Sequence, residues 1–137
     1  MPVNIIRFER LAYLSLAISI LAFVLDNAMG PGEPLAPLAM AFVILAVTAI
    51  GIALISATAR LRKNWLRWVY AVLFVLAVAA DVYVIPTTLA AGGNAWVQAL
   101  TVISDTLDIV CVCLLFSAAS GAWFRNAAIA SGSPATA

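Results

Sequence analysis

Four long apolar runs dominate the chain: Leu11 to about Met29, about Leu38 to Thr58, Trp68 to about Val84, and Ala95 to about Ser117. About 20 apolar residues rising 1.5 Å each cross a hydrocarbon core roughly 30 Å thick, so each run is a candidate membrane span. Within 137 residues they leave no room for a soluble domain. Composition agrees, with 66% hydrophobic and 9% charged residues, against roughly 25% charged in a soluble domain. A formal net charge of +1 and the lack of any long basic stretch exclude a nucleic-acid binder. The chain has no His, which removes the commonest general base and metal ligand. Two Cys cannot form a disulfide framework.

The connections carry helix breakers. Gly30-Pro31-Gly32-Glu33-Pro34 interrupts the first and second runs, and Pro86 to Asn94, with Gly92-Gly93, separates the third from the fourth. Ala59 to Arg67 reads as a polar, basic turn. The expected organisation is an N-terminal flank at 1–10, one transmembrane domain over 11–120 and a tail at 121–137 whose end is mobile. Hydropathy is similar in the two halves, but their polar residues do not align, so no inverted repeat is indicated.

All seven Lys and Arg residues fall on one side of a four-span arrangement. Arg7 and Arg10 precede the first run, Arg60, Arg62, Lys63 and Arg67 lie between the second and third, and Arg125 follows the fourth. The positive-inside bias assigns that side, with both termini, to the cytoplasm. A cleaved secretory signal over residues 1–28 is the competing reading and would leave three spans. Cleavage after Ala28 would put Asp26 where a small residue is needed. Trp65, Trp68 and Trp123 fall at the cytoplasmic ends of spans and Trp96 at the outer end of the fourth, as interfacial anchors do. Small residues at four-residue spacing, Ala49, Ala53 and Ala57 on the second run and Ser15 and Ser19 on the first, predict close helix packing. Short loops favour antiparallel neighbours, so the expected fold is an all-α, up-down bundle of four transmembrane helices.

The acids carry the chemical interest. Glu9 is the one acid on the basic side, and Asp26 and Glu33 belong at the outer interface. Asp81 sits about five residues inside the outer end of the third run, roughly 7–8 Å deep. Asp105 and Asp108 lie roughly 16–21 Å past Asn94, near the midplane. Gln98, Thr101, Asp105 and Asp108 follow helical spacing, with Cys111 continuing the stripe. An Asp at the bilayer centre costs about 2.5–3.5 kcal/mol on insertion scales, and no Lys, Arg or His of the chain reaches that depth. Three explanations follow: protonated carboxyls, a cation held with hydroxyls such as Ser15, Ser19 and Thr48, or a basic residue on a partner helix. The plainer alternatives are hydrogen-bonded packing inside the bundle, or a fourth span that sits closer to the outer surface.

Cys111 and Cys113 point about 200° apart on a helix, which suits packing better than a metal clamp. No G-x-S-x-G, P-loop or G-x-G-x-x-G sequence occurs. Two acids three residues apart on one helix cannot straddle a substrate, so no enzyme, cofactor or metal centre is expected. Lys63-Asn64-Trp65-Leu66-Arg67-Trp68-Val69, Leu114-Leu115-Phe116 and Ala122-Trp123-Phe124-Arg125 resemble a loose group of short, uncharacterised bacterial four-span inner-membrane proteins. That resemblance implies a bacterial inner membrane and no particular activity. Two functions remain in view. In one, Asp105 and Asp108 bind or conduct a proton or cation, Thr101 and Gln98 line its path and Asp81 stands near the mouth, in a homo-oligomer. In the other, the acidic stripe meets a partner helix, making the protein an accessory subunit, assembly factor or toxin-immunity protein.

Overall fold

A computed structural model describes residues 3–61, 63–122 and 124. Arg62, Trp123, Arg125 and the tail through 137 lie outside the described residues, so the expectations placed on them stand where the sequence left them. Four helices follow one another: α1 (Val3–Met29), α2 (Pro37–Arg60), α3 (Asn64–Ala90) and α4 (Ala95–Leu115). A short helical segment follows at 118–122. All four long helices are long and apolar enough to cross a bilayer, which makes the chain a multi-pass membrane protein.

Each helix touches its neighbours in sequence, and α4 closes the ring by packing along α1 in the most extensive contact of the bundle. Hydroxyls hold that contact together at its centre. Ser15 Oγ and Ser104 Oγ lie 2.8 Å apart, and each hydroxyl is also placed to donate to the other residue's carbonyl at 3.2 Å. Ser19 hydrogen-bonds to the same Ser104 hydroxyl. Small side chains let the two backbones approach closely enough for this pairing, and lipid offers these groups no competing partner.

Two expectations need correction. Pro86 does not end the third helix but lies inside α3. A proline leaves one carbonyl without its helical donor, and the Thr87 hydroxyl donates to the neighbouring carbonyls of Tyr83 (3.1 Å) and Val84 (2.8 Å). These bonds go to carbonyls beside that of Val82, the one Pro86 leaves without a donor, and proline is tolerated in membrane helices. The turn after α3 comes instead at Gly92, whose φ of 89° suits glycine. The second correction concerns α2, where Ala49 and Ala53 are exposed. Its close approach to α1 is at Gly51, where a Cβ would stand 2.9 Å from the Leu16 methyls. Periodicity identified a small-residue face, but a neighbouring face makes the contact.

The main buried cluster lies toward the basic end. Ile5, Phe8, Ile55, Tyr70, Cys111 and Leu115 belong to it, with Phe8 and Tyr70 in edge-to-face contact at 5.2 Å. Burial along α1 and α4 continues to Ala22 and Val97 near the other end. Along α2 it is limited to Ile55, Thr58 and Ala59, and along α3 to Leu66 and Tyr70. The bundle is therefore sealed at the basic end and opens toward the two Gly/Pro-rich loops.

The basic turn is shorter than its composition suggested, because Trp65 and Arg67 already belong to α3. The Arg67 guanidinium lies 5.0 Å from the Phe116 ring centre and 5.6 Å from that of Phe124. Trp68 meets Phe116 edge to face at 4.9 Å. Trp65, Trp68 and Trp96 are more than half exposed at helix ends. Arg7 and Arg10 ride on the first turns of α1 beside Glu9, whose carboxylate accepts from Arg60 Nη2 at 2.9 Å. An exposed pair of this kind contributes at most about 1 kcal/mol.

Candidate functional site

Between α1, α3 and α4, on the open side of the serine contact, lies a cavity of about 300 Å³. Four of the six acids in the chain line it: Asp26 from α1, Asp81 from α3, and Asp105 and Asp108 from α4. Gln98 and Thr101 complete the polar wall, so all five residues singled out on the sequence meet in one place. Among the described residues, no Lys or Arg lines it. Periodicity explains the contribution of α4. Residues 98, 101, 105 and 108 share one helical face, and Ser104 lies beside it, turned onto α1.

Asp105 is the middle residue of α4, as deep in a membrane as that helix can place a side chain. It is half-buried and, among the described residues, makes no side-chain hydrogen bond. The hydrogen bonds between α1 and α4 at this depth are made by Ser104 instead. Asp108, about 4–5 Å nearer the basic end, accepts a hydrogen bond from the Tyr70 hydroxyl at 2.9 Å. That bond fixes its carboxylate at the lower end of the cavity, directly above the sealed core. Because α3 runs on to Ala90, Asp81 lies roughly 13–14 Å below the end of its helix. This is deeper than the sequence-based boundary suggested, and it brings Asp81 opposite α4 rather than at the mouth.

The mouth belongs to Asp26, which accepts from Gln98 Nε2 at 3.3 Å. Asp26 also lines a second hollow of about 340 Å³ beneath the α1–α2 loop, with Glu33 on its rim. The loop is tied down there, Leu35 N–H donating to Asn27 Oδ1 at 2.8 Å. Carboxylates thus occur at successive depths from the loop surface to the membrane centre: Glu33, Asp26, Asp81, Asp105 and Asp108. They are strung out rather than gathered. Among the described residues no three Cys, Asp or Glu side chains converge on a point where they could share a metal ion.

Of the hydroxyls expected to assist, Ser19 lines the cavity and Ser15 lies behind it, paired with Ser104. Thr48 does not take part, since α1, α3 and α4 wall the cavity without α2. Cys111 is fully buried below it, its thiol 3.9 Å from the Phe8 carbonyl, whereas Cys113 is exposed on the opposite face. Three participants were not singled out from sequence. Ser104 was recoverable, because it stands three residues after Thr101 and four before Asp108. Tyr70 and Asp26 were not, since their roles depend on which helices become neighbours. Compared with known proteins, the chain matches no family model, no curated protein and no solved structure.

Proposed function

We propose that this protein takes up a proton or cation from its loop end and holds it at the membrane midplane on Asp105 and Asp108. One observation carries the reading: four carboxylates line a single intramembrane cavity that, among the described residues, has no basic side chain on its wall. Acidic groups at that depth are costly, and a positively charged occupant is what would offset them. Gln98 and Thr101 line the approach, and Asp81 faces the midplane pair from α3. No chemical conversion is part of this role, and the protein is not an enzyme in this reading.

The one-sided distribution of Arg7, Arg10, Arg60, Arg62, Lys63, Arg67 and Arg125 supports placing both termini in the cytoplasm, and the resemblance to short bacterial four-span proteins supports an inner membrane. The cavity then opens outward. Four helices are few for a complete pathway, and α2 and α3 bury little of their surface. A homo-oligomer, or a membrane-protein partner, completes the assembly in this reading. The test is ion flux in proteoliposomes under imposed gradients of H⁺, Na⁺, K⁺ and Mg²⁺. Wild type should show a flux that Asp105→Asn/Asp108→Asn abolishes while remaining folded. No flux from a folded, oligomeric wild type would overturn a transport role and favour the interaction module.

A further inference from the structure

Asp108 faces two cavities. Besides the acidic one, it lines a separate, laterally open space of about 370 Å³ between α1, α2 and α3. That space is walled by apolar side chains, among them Leu16, Ile50, Leu54, Leu73 and the Phe74 ring. Asp108 is the one carboxylate on its wall, and the Tyr70 ring and hydroxyl stand beside it. Ser19 and Ala77 line both cavities, so the two adjoin at the midplane.

This chamber suits a small inorganic ion poorly. Shedding its water requires several oxygen ligands around it; beside Asp108 and Tyr70 the wall offers only Ser15 and Ser19, whose hydroxyls are already engaged with Ser104. Lipid tails fill apolar space well but leave the carboxylate without a counter-charge. A cation that carries its own apolar surface satisfies both parts of the wall. Its charge would lie between Asp108 and the aromatic faces of Tyr70 and Phe74, and its substituents against the aliphatic side chains. A volume of about 370 Å³ falls within the roughly 300–1,000 Å³ usual for small-molecule sites. Resting on the cation-binding reading above, we infer that the cargo is an organic monocation with apolar substituents, such as an alkylated ammonium. The acidic cavity is its route of entry and the apolar chamber its seat.

The experiment is equilibrium binding of radiolabelled tetrapropylammonium to the full-length protein in detergent, with unlabelled tetramethylammonium and neutral neopentylbenzene as competitors. Wild type should bind tetrapropylammonium at least about tenfold more tightly than tetramethylammonium, because more apolar surface is buried. Neopentylbenzene should compete poorly. Asp108→Asn keeps an acceptor for Tyr70 but removes the charge, and should weaken binding by about tenfold or more. Leu54→Trp narrows the chamber from α2, which does not wall the acidic cavity, and should weaken tetrapropylammonium while sparing tetramethylammonium. Helicity and monodisperse elution establish that each variant is folded.

Equal binding by wild type and Asp108→Asn, or affinity independent of alkyl size, overturns the inference. If wild type binds no ammonium while its proton or metal-ion flux still depends on Asp105 and Asp108, the organic cargo is wrong and the acidic site stands. If neither binding nor flux is found, both fail.

Discussion

Asp105 and Ser104 are adjacent in sequence and take opposite parts in the bundle. Ser104 is buried and shares its hydroxyl with Ser15 and Ser19. Asp105 faces the cavity without a side-chain hydrogen bond among the described residues. Ser104→Ala should therefore destabilise the fold, by roughly 0.6 kcal/mol per interhelical bond and at most about 1.7. Asp105→Leu should leave stability unchanged or raise it, since Asp is penalised at the centre of a membrane helix and Leu is favoured. Unfolding titrations in mixed detergent micelles would measure both. A loss of stability in Asp105→Leu as large as in Ser104→Ala would return Asp105 to the status of packing glue. A stability gain accompanied by loss of flux is the trade expected of a residue kept for function.

At the scale of helices, the α1–α2 contact depends on the absence of a side chain at Gly51. Leu16 already occupies the space that a Cβ would enter. Gly51→Leu should push α2 away and cost about 1–3 kcal/mol, the usual penalty of overpacking. It should also disturb the apolar chamber, which Gly51 lines, before it disturbs the acidic cavity, which α2 does not wall. Binding of a bulky ammonium and flux of a small ion, measured on the same variant, would separate the two effects.

The four spans and the polar face of α4 were legible in the sequence because both rest on local rules, hydropathy over a bilayer's thickness and the period of a helix. Pro86 was misread because the breaker rule belongs to soluble helices, whereas in this membrane helix α3 continues past it to Ala90. The Ala49/Ala53 face was misread because periodicity gives the faces of a helix and leaves open which of them meets a neighbour. Tyr70 reaching Asp108 across 38 positions, and Gln98 reaching Asp26 across 72, are products of tertiary arrangement. No spacing rule contains them.

Taken as a whole, the molecule has two unlike ends. One carries a dry aromatic and aliphatic core under a basic fringe, and the other carries acids and two glycine-rich loops. With an even number of spans, the described basic residues share one side, and single cysteines should report this. In a protein lacking Cys111 and Cys113, Gly32→Cys and Ala91→Cys, both at exposed positions, should react with a membrane-impermeant maleimide from the side opposite Leu61→Cys. Labelling of all three from one side would overturn the four-span topology.

The location of the core has a mechanical consequence. Helices in lipid gain little from mutual burial unless they fit closely, and α2 and α3 bury side chains only in their basic-end portions. Across the rest of their length, their separation from α1 and α4 is a balance between loose protein contacts and the lateral pressure of a single leaflet. Lipids of different shape on that side would bear directly on the aperture above Asp26, and those on the basic side would not. The bilayer is thereby a component of the entrance as well as its surroundings.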